Sequence, residues 1–204
     1  VGERLREQLS LITHSDEEIE RQRELIRELE QKARKQAAAI HSMRAKVAGQ
    51  TSKDIARTLA MLGMPEATYE IEVAEVGELR ATGCDKIRFM FSANKNMAPQ
   101  PVEKIASGGE LSRTMLAIKS VLADKDDVDT LIFDEIDTGV SGRAAERIAE
   151  KICKLSMEKQ VLCVTHLPQI AAMADTNFLI EKDTDGERTK TSVIKLDVEG
   201  KTEE

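Results

Sequence analysis

An apolar residue returns at every seventh position from near the start of the chain: Leu5, Ile12, Ile19, Ile26, Ala33, Ile40 and Val47. The background between them is Glu, Arg, Gln and Lys. A stripe with this period kept this long belongs to a helix whose seam faces another helix, because seven residues close on two slightly under-wound turns. The companion stripe three residues further on is thin: Gln8, Ser15, Gln22, Leu29, Gln36 and Met43, with only Leu29 and Met43 apolar. Residues 1–48 are therefore read as a coiled-coil arm, one strand of a two-helix pair whose partner strand this sequence does not contain. A single amphipathic helix lying on a globular body is the other solution of the same pattern.

Composition agrees with a solvated helical extension. Charged residues make up 33% of the chain while aromatics reach only 2%, namely Tyr69, Phe89, Phe91, Phe133 and Phe178. The net charge of −7 supplies no global attraction to nucleic acid or to an anionic membrane. No apolar run approaches the roughly 20 residues that cross a bilayer, and no signal-peptide pattern is present. Cys84, Cys153 and Cys163 form no C-x-x-C pair and are expected to be buried, reduced thiols of a cytoplasmic protein. The first residue is Val rather than Met, as expected of a piece of a longer chain.

Beyond Gly49 the pattern changes, and residues 49–204 are read as one α/β lobe. "TSKDIARTLAMLGMP" opens on Thr/Ser capping candidates and stops at Gly63 and Pro65, predicting a short helix of its own. "TYEIEVAEV" and "DKIRFMFSAN" read as two strands of an antiparallel sheet, and "KNMAPQPVEKIA" as a loop. Then follow a helix from Glu110 to about Ala123, the strand "VDTLIFDE", the helix "RAAERIAEKICKLS" and the strand "QVLCVTH". A short helix "LPQIAAMAD" and the strands "NFLIEKD" and "KTSVIKLDV" close the chain. Continuous apolar strands between amphipathic helices predict a parallel sheet covered on both faces, with ligands beyond the carboxyl ends of its strands.

Chemistry is concentrated at three loops. In "SGGELSR", Ser107 to Arg113, two glycines run into the start of a helix, whose unpaired N–H groups and positive dipole end suit a phosphate. No G-x-x-x-x-G-K-[ST] phosphate loop occurs in the chain, so at most half of a nucleotide site is present. "TLIFDEID" ends an apolar strand on Asp134 and Glu135. A carboxylate there suits a cation carried by a nucleotide, and its neighbour is placed to orient or deprotonate water; an acidic helix cap explains the same pair without chemistry. "VLCVTH" ends the next strand on His166, within reach of the same region.

The order of these motifs is that of the C-terminal lobe of an ATP-binding-cassette head. "IASGGELSRTMLAIKSVL", "LIFDEIDTGVSGRAAE" and "VLCVTHLPQIAAMAD" closely resemble the RecN family of SMC-like bacterial DNA repair ATPases, and "FMFSANKN" is similar too. The resemblance implies a P-loop NTPase fold, a mostly parallel sheet flanked by helices, behind an N-terminal coiled-coil helix. It implies ATP and Mg²⁺ as cofactors, with Asp134 supporting the metal, Glu135 acting on water and His166 sensing the γ-phosphate. Ser107, Gly108, Gly109 and Glu110 match the signature loop, which in such heads contacts a nucleotide held mainly by a second copy. Asp137 matches an aspartate crossing the dimer interface. Gly139, Ser141 and Gly142 serve loop geometry.

The family chain folds back on itself, so the phosphate loop is expected in an N-terminal head lobe upstream of the arm. Further implied partners are a second head and DNA, with no membrane, in a cytoplasmic, nucleoid-associated setting and in double-strand-break repair and recombination. The fragment alone is expected to be inactive. Alternatives are another SMC-like ATPase of chromosome organisation, or a non-catalytic coiled-coil scaffold that binds DNA; a transporter subunit has no place for the arm. Clusters such as "RQRELIR" and "KARK" read as solvated helix faces and assign no DNA contact.

Overall fold

The computed structural model describes residues 2–185 and 188–196. The side chains of Leu5, Gln8 and Ile12, and Asp197 and Val198 of the last predicted strand, lie outside the described residues. The chain forms two compact units, residues 1–49 with 72–88 and residues 50–71 with 89–204.

One helix, α1, runs unbroken over Gly2–Met61. The separate short helix predicted after Gly49 is its last turns. Gly49 costs up to about 1 kcal/mol in a helix interior, whereas Ile55 and Leu59, fully buried, contribute about 1.5–3 kcal/mol each, so continuity wins. Ser52 does not cap; its hydroxyl accepts the backbone N–H of Ile71 at 2.9 Å. The helix stops where predicted, with Gly63 at φ +85 and the Met64 N–H returning to Leu59 O.

β1 (Thr68–Arg80) and β2 (Gly83–Ser92) form a hairpin, and in the first unit its residues 72–88 meet α1 at Arg34, His41 and Arg44. Ala37 and Ala48 of α1 are buried. Asp85 of β2, its side chain wholly buried, accepts from Arg44 Nη1 at 2.9 Å and lies 2.7 Å from His41 Nδ1. Those two hydrogen bonds, Arg44 first, hold its carboxyl below the ordinary range. Much of the heptad seam is left bare: Ile19, Ile26, Leu29, Met43 and Val47 are all exposed.

The second unit holds the core. Ile55, Leu59 and Leu62 pack with Tyr69, Phe91, Leu116, Leu131, Phe133, Ile136 and Ile148. Its elements follow as β3 (Gln100–Pro101), α2 (Gly108–Val121), β4 (Thr130–Phe133), α3 (Arg143–Ser156), β5 (Gln160–Cys163), α4 (Pro168–Ala171), β6 (Phe178–Asp185) and β7 (Arg188–Lys195). Part of the predicted loop before the signature is thus β3, paired antiparallel to β2.

β4 and β5 are parallel, Thr130 opposite Gln160 through Phe133 opposite Cys163, as the apolar runs predict. The expectation of a sheet covered on both faces fails. Leu131 and Phe133 face the core, while Ile132 is 71% exposed and Leu162 and Val164 are exposed too. β6 and β7 form their own antiparallel pair, Phe178 opposite Lys195, rather than extending the parallel sheet. The cysteines are free, but only Cys84 is buried; Cys153 is exposed and Cys163 half-buried. Among the described residues no helix is long and apolar enough to cross a membrane.

Candidate nucleotide-handling site

Strand alternation sets up the site. With Leu131 and Phe133 turned into the core, β4 delivers its next residue, Asp134, to the exposed side. The chain then leaves the strand sharply: Glu135 has φ +56, the only non-glycine with positive φ among the described residues. An L-residue in this region costs about 1–2 kcal/mol, so its surroundings must hold it there. They do so with Glu135 N donating to Asp134 Oδ1 at 2.9 Å and Thr138 N donating to Glu135 O at 3.1 Å.

The signature helix packs directly on this turn. Ser107 is the N-cap of α2, its Oγ accepting the Glu110 N–H at 3.4 Å. Gly108 gives the Glu135 carboxylate its present place, because a Cβ there would stand 1.8 Å from Glu135 Oε2 and the side chain would have to move. A Cβ at Gly109 would meet Thr138 Cβ at 3.0 Å and Glu135 O at 3.1 Å. One turn along, Ser112 Oγ donates to Asp134 O, and Arg113 Nη1 donates to Ile136 O at 3.2 Å and Thr138 O at 2.9 Å. Ser107, Gly108, Gly109, Glu110, Asp134 and Glu135, separated in sequence, thus stand at one place.

His166 joins them through Asp137. The Asp137 carboxylate, 3% exposed, accepts from Thr165 Oγ1 and from His166 N at 2.8 Å, and its Oδ2 stands 3.2 Å from His166 Nδ1. Burial opposes its ionisation, but these hydrogen bonds outweigh it and lower the pKa. Within its own chain, Asp137 thus ties the turn after β4 to the segment after β5 through Thr165 and His166. The neighbouring Cys163 thiol is pushed up to about 11 by burial, then by the charges of Asp137 and Asp134, which makes it a poor nucleophile.

Ser112, Arg113 and Thr165 hold the site together although no motif in the sequence singles them out. Arg113 carried a signal, since it shares a helical stripe with buried Leu116 and Ala117 and is itself buried. Gly139 and Gly142, at φ +72 and +54, have the loop-forming part foreseen for them. Asp134 retains a second carboxylate oxygen at an exposed strand end, which fits a magnesium ion carried on nucleotide phosphates, a case needing only one or two protein carboxylates. Among the described residues no group of three or more potential ligands forms a metal site by itself.

Comparison with known proteins fits this arrangement. The chain is 40% identical over 204 residues to the DNA repair protein RecN of Halalkalibacterium halodurans, covering 98% of this chain and 36% of that one. It belongs to the RecN family. RecN of Bacillus subtilis is 42% identical over 184 residues (83% and 32% covered), and RecN of Treponema pallidum 43% over 152 (72% and 26%). The chain therefore spans about a third of the length of these RecN relatives or less. Its fold matches the Smc head domain with a coiled coil and joint from Pyrococcus yayanosii, with a TM-score of 0.52 at 21% identity over 78% of this chain and 28% of that one. The RecN segment thus has the α/β fold of an Smc head domain. No protein-family model matches the chain.

Proposed function

We propose that this chain is the C-terminal lobe of a RecN-type ATP-hydrolysing head, residues 49–204, with the returning strand of its coiled-coil arm, residues 1–48, acting on DNA in double-strand-break repair. The observation that carries this reading is the packing of Gly108 against the Glu135 carboxylate, which puts a phosphate-ready helix start, a metal-ready acid and a candidate base at one place. Bound MgATP supplies an activated phosphoanhydride and the metal charge. Asp134 would support the ion, Glu135 would orient or deprotonate the attacking water, and His166, oriented by Asp137, would sense the γ-phosphate.

Ser107, Gly108, Gly109 and Glu110 serve the nucleotide of a second copy, so ATP joins two heads and hydrolysis parts them. The bare apolar face of Ile132, Leu162 and Val164 receives the upstream lobe that carries the phosphate loop, and the bare heptad seam receives the outgoing arm helix. The protein works in the cytoplasm on the nucleoid, without a membrane.

Glu135→Gln in the full-length protein tests this. The amide keeps the shape but loses the basicity, so turnover should fall by roughly 10²- to 10⁴-fold. ATP binding should survive, and an ATP-dependent head dimer should accumulate, visible by light scattering or crosslinking. Near-normal hydrolysis would reject the base assignment. Wild-type protein without any ATP turnover would favour a non-catalytic scaffold.

A further inference from the structure

We propose that Arg113 is the positioning residue of this ATPase, holding the Glu135 turn at the foot of the signature helix and so fixing where the carboxylate stands. The inference rests on the reading of Glu135 as the group that acts on water.

Arg113 is 7% exposed and lies on the core side of α2. Taking a guanidinium out of water is costly, and an apolar side chain of similar volume would pack there without that cost. Burial does lower its pKa, with the charge of Glu110 acting the other way, and its Nε has no hydrogen-bond partner. What only the guanidinium provides is two hydrogen bonds from Nη1, one to Ile136 O and one to Thr138 O.

Those carbonyls belong to the turn that begins at Glu135 and closes with Thr138 N on Glu135 O. The turn starts with a residue in the left-handed region, a conformation that persists only when its surroundings determine it. Arg113 grips the turn through these two backbone carbonyls. Ser112 fixes Asp134 O just before it, and Gly108 leaves the side chain its space. Without the guanidinium the turn can relax toward ordinary dihedrals, and the carboxylate moves with it.

The test is a double-mutant cycle in the full-length protein, with single-turnover ATP hydrolysis and ATP affinity measured for wild type, Arg113→Met, Glu135→Gln and the pair. Arg113→Met should slow hydrolysis by about 10- to 100-fold, the order expected for a misplacement near 1 Å, with ATP affinity unchanged. On the Glu135→Gln background it should add almost nothing, because the group it positions is already gone. An equal loss on both backgrounds, or no loss on the wild-type background, overturns the proposal. Glu135→Gln hydrolysing like wild type would instead remove the reading of Glu135, and this proposal with it. Should Arg113→Met fail to fold, Arg113→Gln, which keeps a donor for one carbonyl, carries the same cycle with a smaller loss on the wild-type background alone.

Discussion

The Asp137 carboxylate accepts the backbone N–H of His166 at 2.8 Å and stands 3.2 Å from its ring Nδ1, so one buried acid fixes both the end of β5 and the direction of the imidazole. The ring is 73% exposed and the acid 3%, which makes Asp137 the support and His166 the presented group. A proton on Nδ1 directed at Asp137 leaves Nε2 facing outward, the arrangement an imidazole needs to meet a ligand.

Asp137→Asn should destabilise the full-length protein by about 1–3 kcal/mol at neutral pH, since a neutral amide oxygen accepts the Thr165 and His166 hydrogen bonds more weakly than the charged carboxylate Oδ2 does. The folded pKa lies below the ordinary value of about 3.9, so this contribution is complete above that value and is lost as pH falls through the folded pKa. Urea unfolding of the two proteins should show a constant gap between about pH 5 and 7 that closes below about pH 4. A gap that grows on acidification would contradict the network.

Gly108→Ala and Gly109→Ala should separate stability from activity. The methyl at Gly108 meets the tip of the Glu135 side chain, which can swing away, and alanine recovers up to about 1 kcal/mol of helix propensity. Its melting temperature should hardly move, while hydrolysis falls by on the order of 10²-fold as the carboxylate is displaced. At Gly109 the obstacles are Glu135 O, Thr138 Cβ and Arg113 Nη1, all within 3.1 Å, so the packed turn itself must shift. Gly109→Ala should melt lower than Gly108→Ala; the reverse order would mean the turn is not packed as described.

How much of this was legible in the sequence depended on whether a residue's partner was near in the chain. α3 was predicted over "RAAERIAEKICKLS", its observed span, because its apolar face is written at helical spacing. β4 and β5 were legible as apolar runs ending in charge or histidine. Ser52 was not, because its Thr/Ser context promised a helix cap while its actual partner is Ile71 N, 19 residues away. The bonds of Asp137 within its own chain were not legible for the same reason: its Oδ2 accepts from Thr165 and His166, 28 and 29 residues on. The bare side of β4 was not legible either, since Ile132 is as apolar as its buried neighbours Leu131 and Phe133 and nothing local tells which side is covered.

Glu135→Gly should raise stability relative to Glu135→Gln. Both remove the carboxylate, but only glycine removes the cost of a side chain at φ +56, about 1–2 kcal/mol before the extra entropy of an unfolded glycine is deducted. Chemical denaturation should place Glu135→Gly above Glu135→Gln by a fraction of this. Equal stabilities would show that the turn is not strained, and would weaken the case that Arg113 and Gly108 hold it in place.

Ser107→Arg tests the assignment of the signature loop to a second copy. The fold should tolerate it: the Ser107 cap bond is long at 3.4 Å, so its loss and the misplaced positive charge at a helix start together cost about 1–2 kcal/mol. Turnover should nevertheless be abolished, because a bulky side chain occupies the approach to the neighbour's γ-phosphate, while each head still binds its own ATP. The decisive measurement mixes this variant with Glu135→Gln, each inactive alone. In a mixed dimer, the Ser107→Arg head keeps its own Glu135 and receives an intact signature loop from its partner, so one of the two sites is whole. Random pairing gives mixed dimers about half the time, so turnover should return to at most about a quarter of the wild-type rate. If each site were completed within one chain, no mixed dimer would contain a working site and the mixture would stay inactive.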